Sequence, residues 1–168
     1  MAEYGAVDVQ YHDDGTARAG GVTYADPAFT ALVEDTVVDL DHVEPYVPGE
    51  FYRRELPAIR AVLARRPLPD LLIVDGYVDL DPDGRPGLGA RVHAEWDIPV
   101  VGVAKTAFHA ATHAIPVRRG EASRPLYVTA AGLPREEAAE MVAAMAGRYR
   151  LPDALRRVDA LARRGLAG

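Results

Sequence analysis

Two short apolar runs, Leu71-Leu72-Ile73-Val74 and Ile98–Ala104, carry no alternation of polar and apolar residues. A strand wetted on one face alternates. A strand buried on both faces does not, and such strands belong to sheets covered by helices on each side. These runs therefore predict a layered α/β fold. Before them, Ala6–Tyr11 reads as a strand, His12-Asp13-Asp14-Gly15 as a hairpin turn and Ala17–Tyr24 as a second strand, with the valine-rich Ala31–Leu40 as a third. Three consecutive strands on short turns form an antiparallel meander. Glu50–Arg65 sets Phe51, Leu56, Ile59, Val62 and Leu63 at helical spacing, and a shorter helix falls around Gly89–Trp96. Arg124–Ala130 is a further strand. Pro134–Arg148, with proline at its start and Gly147 near its end, and Leu151–Arg164 are the last two helices. The order βββαβαββαα predicts a mixed sheet flanked by helices in one domain over residues 1–168, long enough to bury a core.

The residue inventory narrows the chemistry. There is no cysteine, so any metal must be held by oxygen or imidazole. No apolar run reaches membrane-spanning length, and the start MAEYGAVDV lacks the basic-then-apolar order of an export signal. A cytoplasmic protein with no membrane partner is expected. The formal net charge of −6 weighs against nucleic acid as a partner of the surface as a whole. The arginines nevertheless gather, at Arg53-Arg54, Arg65-Arg66 and Arg118-Arg119 with Arg124; the C-terminal ones, Arg148, Arg150, Arg156-Arg157 and Arg163-Arg164, read as solvated faces. Of the nineteen Lys and Arg residues only Lys105 is a lysine, which hints at a task that a planar guanidinium does not fill.

Two aspartate-rich motifs dissolve on inspection. Asp79-Leu80-Asp81-Pro82-Asp83-Gly84 opens like a calcium-binding EF-hand loop, but its twelfth position, which must be Glu, is Ala90. Pro82 and Pro86 also bar a following helix, so Asp83-Gly84 is a turn. Asp13-Asp14-Gly15-Thr16 matches a phosphatase motif whose nucleophile position is here His12. Three other carboxylates fit together. Asp8 lies in mid-strand, where a charge must be exposed, paired or metal-bound. Asp75 closes a buried strand, at the end where α/β sheets carry their sites. Glu55 sits on the first helix. Each alone has an ordinary reading, as an outward edge-strand aspartate or a solvated helix side chain. Together they are the oxygen-ligand set by which metal-dependent nucleases hold Mg²⁺.

In these residues the chain resembles the endonuclease V family. The matching pieces run in the family's order: AVDVQY (6–11), PYVPGEFYRRELP (45–57), PDLLIVDG (69–76), RPGLGARVH (85–93), IPVVGVAKTAF (98–108), RPLYVTAAG (124–132) and GRYRLPDALRRVDAL (147–161). The resemblance implies a ribonuclease H-like fold and an Mg²⁺-dependent nuclease, with Mn²⁺ able to substitute. Such an enzyme nicks DNA or RNA one nucleotide beyond inosine or deoxyinosine, and the expected substrate here is nucleic acid with inosine or an otherwise altered base. It makes Asp8, Glu55 and Asp75 the metal ligands, Lys105 the active-site lysine, and Tyr46 within PYVPG the wedge that fills the gap left by a flipped base. Pro45 and Pro48 stiffen that loop, as a wedge requires. Pro48, Gly49, Gly76, Tyr77 and His93 complete the expected nucleic-acid contacts. The chain departs from the family at Gly76-Tyr77-Val78, where the family reads Gly-His-Gly, and at Asp81, where it carries a histidine; Asp81 is then an added or replacement ligand. No counterpart of the family's helix before the first strand is expected. The alternatives that share these residues are a ribonuclease H-like module that grips nucleic acid or a nucleotide without cutting, and a metal-dependent phosphatase, for which Tyr46 has no role.

Overall fold

The structure, a computed structural model, describes residues 1–48, 50 and 52–166. Among them a seven-stranded mixed sheet carries four helices. Strands β1 (Tyr4–Tyr11), β2 (Ala17–Tyr24) and β3 (Leu32–Leu40) form the antiparallel meander; α1 (Tyr52–Leu63) leads to β4 (Leu71–Asp75), and α2 (Leu88–Trp96) to β5 (Val100–Ala104). Then come β6 (Ile115–Val117), β7 (Leu126–Ala131), α3 (Arg135–Ala144) and α4 (Asp153–Arg164). The sheet order is β3-β2-β1-β4-β5-β7-β6, with β1, β4 and β5 parallel at the centre.

The two apolar runs behave as strands buried on both faces. Leu72 and Val74 pack with Val7, Val9, Ile59, Val62 and Val92 beneath α1 and α2. Leu71 and Ile73 point the other way, into a core with Val101, Val128, Val142, Leu155 and Val158 beneath α3 and α4. None of the four is more than 7% exposed. A period of two thus splits one run between two cores.

Three boundaries differ from the sequence expectation. The strand β6 was not foreseen: it has three residues, with Pro116 at its centre, a residue confined to sheet edges. α3 stops at Ala144 rather than Arg148, because Met145 takes extended backbone and Ala146 N–H donates to the Ala28 carbonyl at 2.8 Å. α1 is shorter than Glu50–Arg65, and Phe51, expected on its apolar face, lies outside the described residues. β1 is an interior strand between β2 and β4, so Asp8 is not an edge-strand residue.

Candidate functional site

The site grows out of the register between β1 and β4. Tyr4, Gly5 and Ala6 pair with Leu71, Leu72 and Ile73 in parallel. The same register carried two residues on sets Asp8 level with Asp75, just past the end of that ladder. The strands part there, leaving the cleft at carboxyl ends where α/β sheets bind ligands. Asp75 is held by its successor. Gly76 N–H donates to Val103 O at 3.0 Å, and Val78 N–H to the Thr129 hydroxyl at 2.8 Å. The loop crosses β5 at Gly102, where a Cβ would stand 2.6 Å from both Gly76 O and Thr129 Oγ1; only glycine fits.

Two hollows open from this cleft and share Asp8 and Asp75. One, toward α4, is lined also by Lys105, Leu151, Leu155 and Val158. The other, toward α1, is lined by Glu55, Ile59 and Leu88. Burial, the charge of Asp75 and the neighbouring Asp159 carboxyl push the Asp8 pKa up to about 7, although Val9 N–H donates to Asp8 Oδ1 at 2.9 Å. Glu55, 8% exposed in the first turn of α1, is raised to about 8 by burial and by the charges of Asp8 and Asp75. Asp75 has open surface yet lies in the floor of a concavity, so loss of water still raises its pKa while the Lys105 ammonium pulls it down. The common and largest cause is burial, which takes water from all three carboxylates; their mutual repulsion adds to it. Beside Glu55 lies the buried Tyr11 hydroxyl, which offsets part of the rise at Glu55, and the Arg54 guanidinium stands 3.8 Å above the Tyr11 ring.

Asp159 of α4 is the member that reading the sequence missed. Its charge acts on Asp75 as well as on Asp8; its Oδ1 is buried and unpartnered, while Oδ2 accepts from Arg163 Nε at 2.9 Å. Leu155 and Ala162, four residues before it and three after, are buried. A carboxylate on the apolar stripe of an amphipathic helix was the signal available. The chemistry of this donor set fits a hard divalent cation: all oxygen, mutually repelling, with one carboxylate oxygen left orphaned. Among the described residues, however, no three acidic or imidazole side chains stand close enough together to form a ready metal cage.

The other predicted residues divide. Gly76 and Tyr77 line a cavity of about 340 Å³ that opens beside Asp75, walled also by Tyr52, Arg85, Leu88 and Phe108. The Tyr77 hydroxyl donates to Thr106 O at 2.7 Å and accepts from Phe108 N–H at 3.0 Å, tying that wall to the segment after Lys105. Tyr46 is 58% exposed, on an exposed loop with Pro48. Gly49 lies outside the described residues. Two of the predicted residues have hydrogen-bond partners of their own in the structure. The Asp81 Oδ1 accepts from Asp83 N–H (3.0 Å) and Arg85 N–H (3.1 Å), which closes its own turn. His93 belongs to the far end of the sheet, where its Nδ1–H donates to Ile98 O at 2.8 Å just before β5 begins. Arg150 is not a solvated side chain. Its guanidinium donates to the carbonyls of Lys105, Arg124 (3.1 Å) and Pro125 (2.8 Å).

Residues 2–132 match the sequence profile of the family described as Endonuclease V. The chain is 34% identical to the Endonuclease V of Roseiflexus castenholzii, an alignment spanning 95% of this chain and 80% of that protein, and 32% identical to that of Nocardia farcinica, spanning 99% and 82%. Its fold superposes on the crystal structure of Endonuclease V from Streptomyces avermitilis with a TM-score of 0.80 at 27% identity, covering 98% of this chain and 81% of that one. It also superposes on Ciona intestinalis Endonuclease V in complex with a 23mer DNA containing an inosine followed by a ribo-adenosine, with a TM-score of 0.81 at 18% identity, covering 96% and 83%.

Proposed function

Because the chain belongs to the Endonuclease V family, we propose that it is an endonuclease that hydrolyses a phosphodiester bond one nucleotide beyond inosine or deoxyinosine in nucleic acid. The observation that best supports this reading is the gathering of Asp8, Glu55, Asp75 and Asp159, from two strands and from one helix on each face of the sheet, around one cleft beside a cavity large enough for a nucleobase. Asp8, Glu55, Asp75 and Asp159 would hold a divalent cation, Mg²⁺ with Mn²⁺ as a substitute. Bound there, it would supply Lewis-acid stabilisation of the phosphoryl group and activation of water. Asp8 and Glu55 must be deprotonated to serve, which their raised pKa values make dependent on the cation. Lys105 brings an ammonium to the charge that develops on the phosphate beside Asp75. The cavity along Gly76 and Tyr77 receives the flipped base, and the exposed Tyr46 stacks in its place. Such work belongs in the cytoplasm, where no membrane helix is needed; among the described residues none is long and apolar enough to cross a membrane.

Labelled inosine-containing and undamaged oligonucleotides, as DNA and as RNA, incubated with Mg²⁺, Mn²⁺ or EDTA, test this directly. Cleavage beside inosine with either cation and none with EDTA is expected. A second reading, a module that grips nucleic acid without cutting it, draws on the lack of a preformed three-ligand cage among the described residues. Tight binding of the inosine probe with no product under any cation would select it.

A further inference from the structure

The segment 145–150 between α3 and α4 is built on a buried cation. Arg119 is 5% exposed, and its guanidinium donates to main-chain carbonyls: Nη1 to Tyr149 (2.7 Å), Nη2 to Met145 (2.5 Å) and Gly147 (2.9 Å). The facing turn fits only through Gly120, where a Cβ would stand 2.2 Å from Arg148 O. A charge is costly to bury, and here it fixes a short irregular stretch of chain into one shape. That shape presents Tyr149, 46% exposed, with the Arg148 guanidinium 5.1 Å and the Arg156 guanidinium 4.5 Å from its ring centroid. Arg148 Nη2 also donates to Tyr149 Oη at 2.9 Å. Neither arginine forms an ion pair with an acid among the described residues, whereas Arg18, Arg60, Arg66, Arg157 and Arg163 all do. An open groove of about 700 Å³ runs alongside, lined by Gly120, Glu121, Ala122, Arg148, Tyr149 and Arg150, with Glu121 its single acid.

The surface is continuous with the catalytic cleft. Arg150 turns inward to the Lys105 carbonyl, and Leu151 lines the hollow that holds Asp8 and Asp75. We propose that Tyr149, Arg148 and Arg156 form a second nucleic-acid contact, which grips the strand outside the base cavity. The ring stacks on a base or sugar and the two guanidiniums meet phosphates. An exposed aromatic flanked by cations suits any sequence, because every base offers a π face and every nucleotide a phosphate. It also gives an acidic protein, of net charge −6, a local basic foothold on a polyanion. The proposal rests on the nuclease reading above.

The test compares wild type with Tyr149→Ala, Tyr149→Phe and the double variant Arg148→Ala/Arg156→Ala. Binding to an undamaged duplex and to an inosine-containing duplex in EDTA is titrated between about 50 and 200 mM salt, with thermal melts alongside. Tyr149→Ala is expected to loosen binding roughly 5- to 100-fold on both probes, and Tyr149→Phe to keep it. The double variant should lose about two from the slope of log affinity against log salt. Should Tyr149→Ala prove unfolded, that slope decides alone. Wild-type slopes and affinities in every variant, with a wild type that binds and cuts the inosine probe, would overturn this proposal only; so would loosening confined to the inosine probe, which would place the effect in the base cavity. A wild type that neither binds nor cuts would bring down the nuclease reading and this contact with it.

Discussion

Asp75 raises the proton affinity of Asp8 across the gap where β1 and β4 part, and both carboxylates face the same two hollows. Asp8 and Glu55, with folded-state values of about 7 and 8 against ordinary values of 3.8 and 4.5, bind more protons folded than unfolded over that interval. Their contribution to stability is full below about pH 4 and is lost as pH rises through the folded values. In EDTA, Tm should therefore decline by several degrees between about pH 5 and pH 8, within the range one or two kcal/mol produces in a domain of this size. Mg²⁺ or Mn²⁺ should raise Tm more at the higher pH, where the ligands are already deprotonated. Calorimetry across that range checks it; a flat profile that cations do not move would dismiss the carboxylate cluster as a cation site.

Neutralising one member should trade activity for stability. Asp8→Asn removes a repelling charge with little change of shape, and Asp159→Asn does the same from α4. Each should raise the cation-free Tm at about pH 8 while lowering kcat roughly a hundredfold or more and shrinking the Tm gain on adding Mg²⁺. Cleavage within tenfold of wild type, on the order of 1.4 kcal/mol of barrier, would remove that residue from the ligand set.

Lys105→Arg keeps the charge and changes its bulk and hydrogen-bond geometry. The main chain at this position is clamped by Arg150, and the next residues by the Tyr77 hydroxyl, so the longer fork has no room gained by backbone movement. A fall in kcat of roughly tenfold or more with Tm essentially unchanged is the expected result. Activity within a few-fold of wild type would make the lone lysine an accident of composition.

Tyr46→Ala separates a nuclease from a phosphatase. At 58% exposure the ring contributes little to the core, so stability should change by about 0.5 kcal/mol or less. Affinity for an inosine-containing duplex should fall by roughly 1–3 kcal/mol, the loss typical of an aromatic stacking partner. Binding titrations beside thermal melts on this one variant measure both. Unchanged affinity would rule out the wedge.

What could be read from the sequence followed what is periodic. Leu71–Val74 and Ile98–Ala104 announced the parallel centre of the sheet, because burial on both faces leaves a composition that no half-exposed strand has. β6 carried no such mark: three residues around a proline are too short for any period. The early end of α3 depends on the Ala28 carbonyl, more than a hundred residues away along the chain, and no local pattern encodes it. Asp8, Glu55 and Asp75 stood out through their places on elements and through resemblance. Asp159 was hidden by its neighbours, since in RRVDAL an acid among arginines reads as surface until the helix is turned to show Leu155 and Ala162 beside it. Arg119 was hidden the same way, for a pair of arginines looks solvated until four carbonyls are found converging on one of them.

The packing of α4 across β1 and β2 also sets when during synthesis the cleft can exist. Asp159 is made about 150 residues after Asp8. At roughly 5–20 residues per second that delay is on the order of ten to thirty seconds. Through that time the meander and the parallel core are free to form, but the wall facing Asp8 has not yet been made. The cleft therefore depends on two stretches made far apart in time, and it takes its described shape only once α4 packs across β1 and β2.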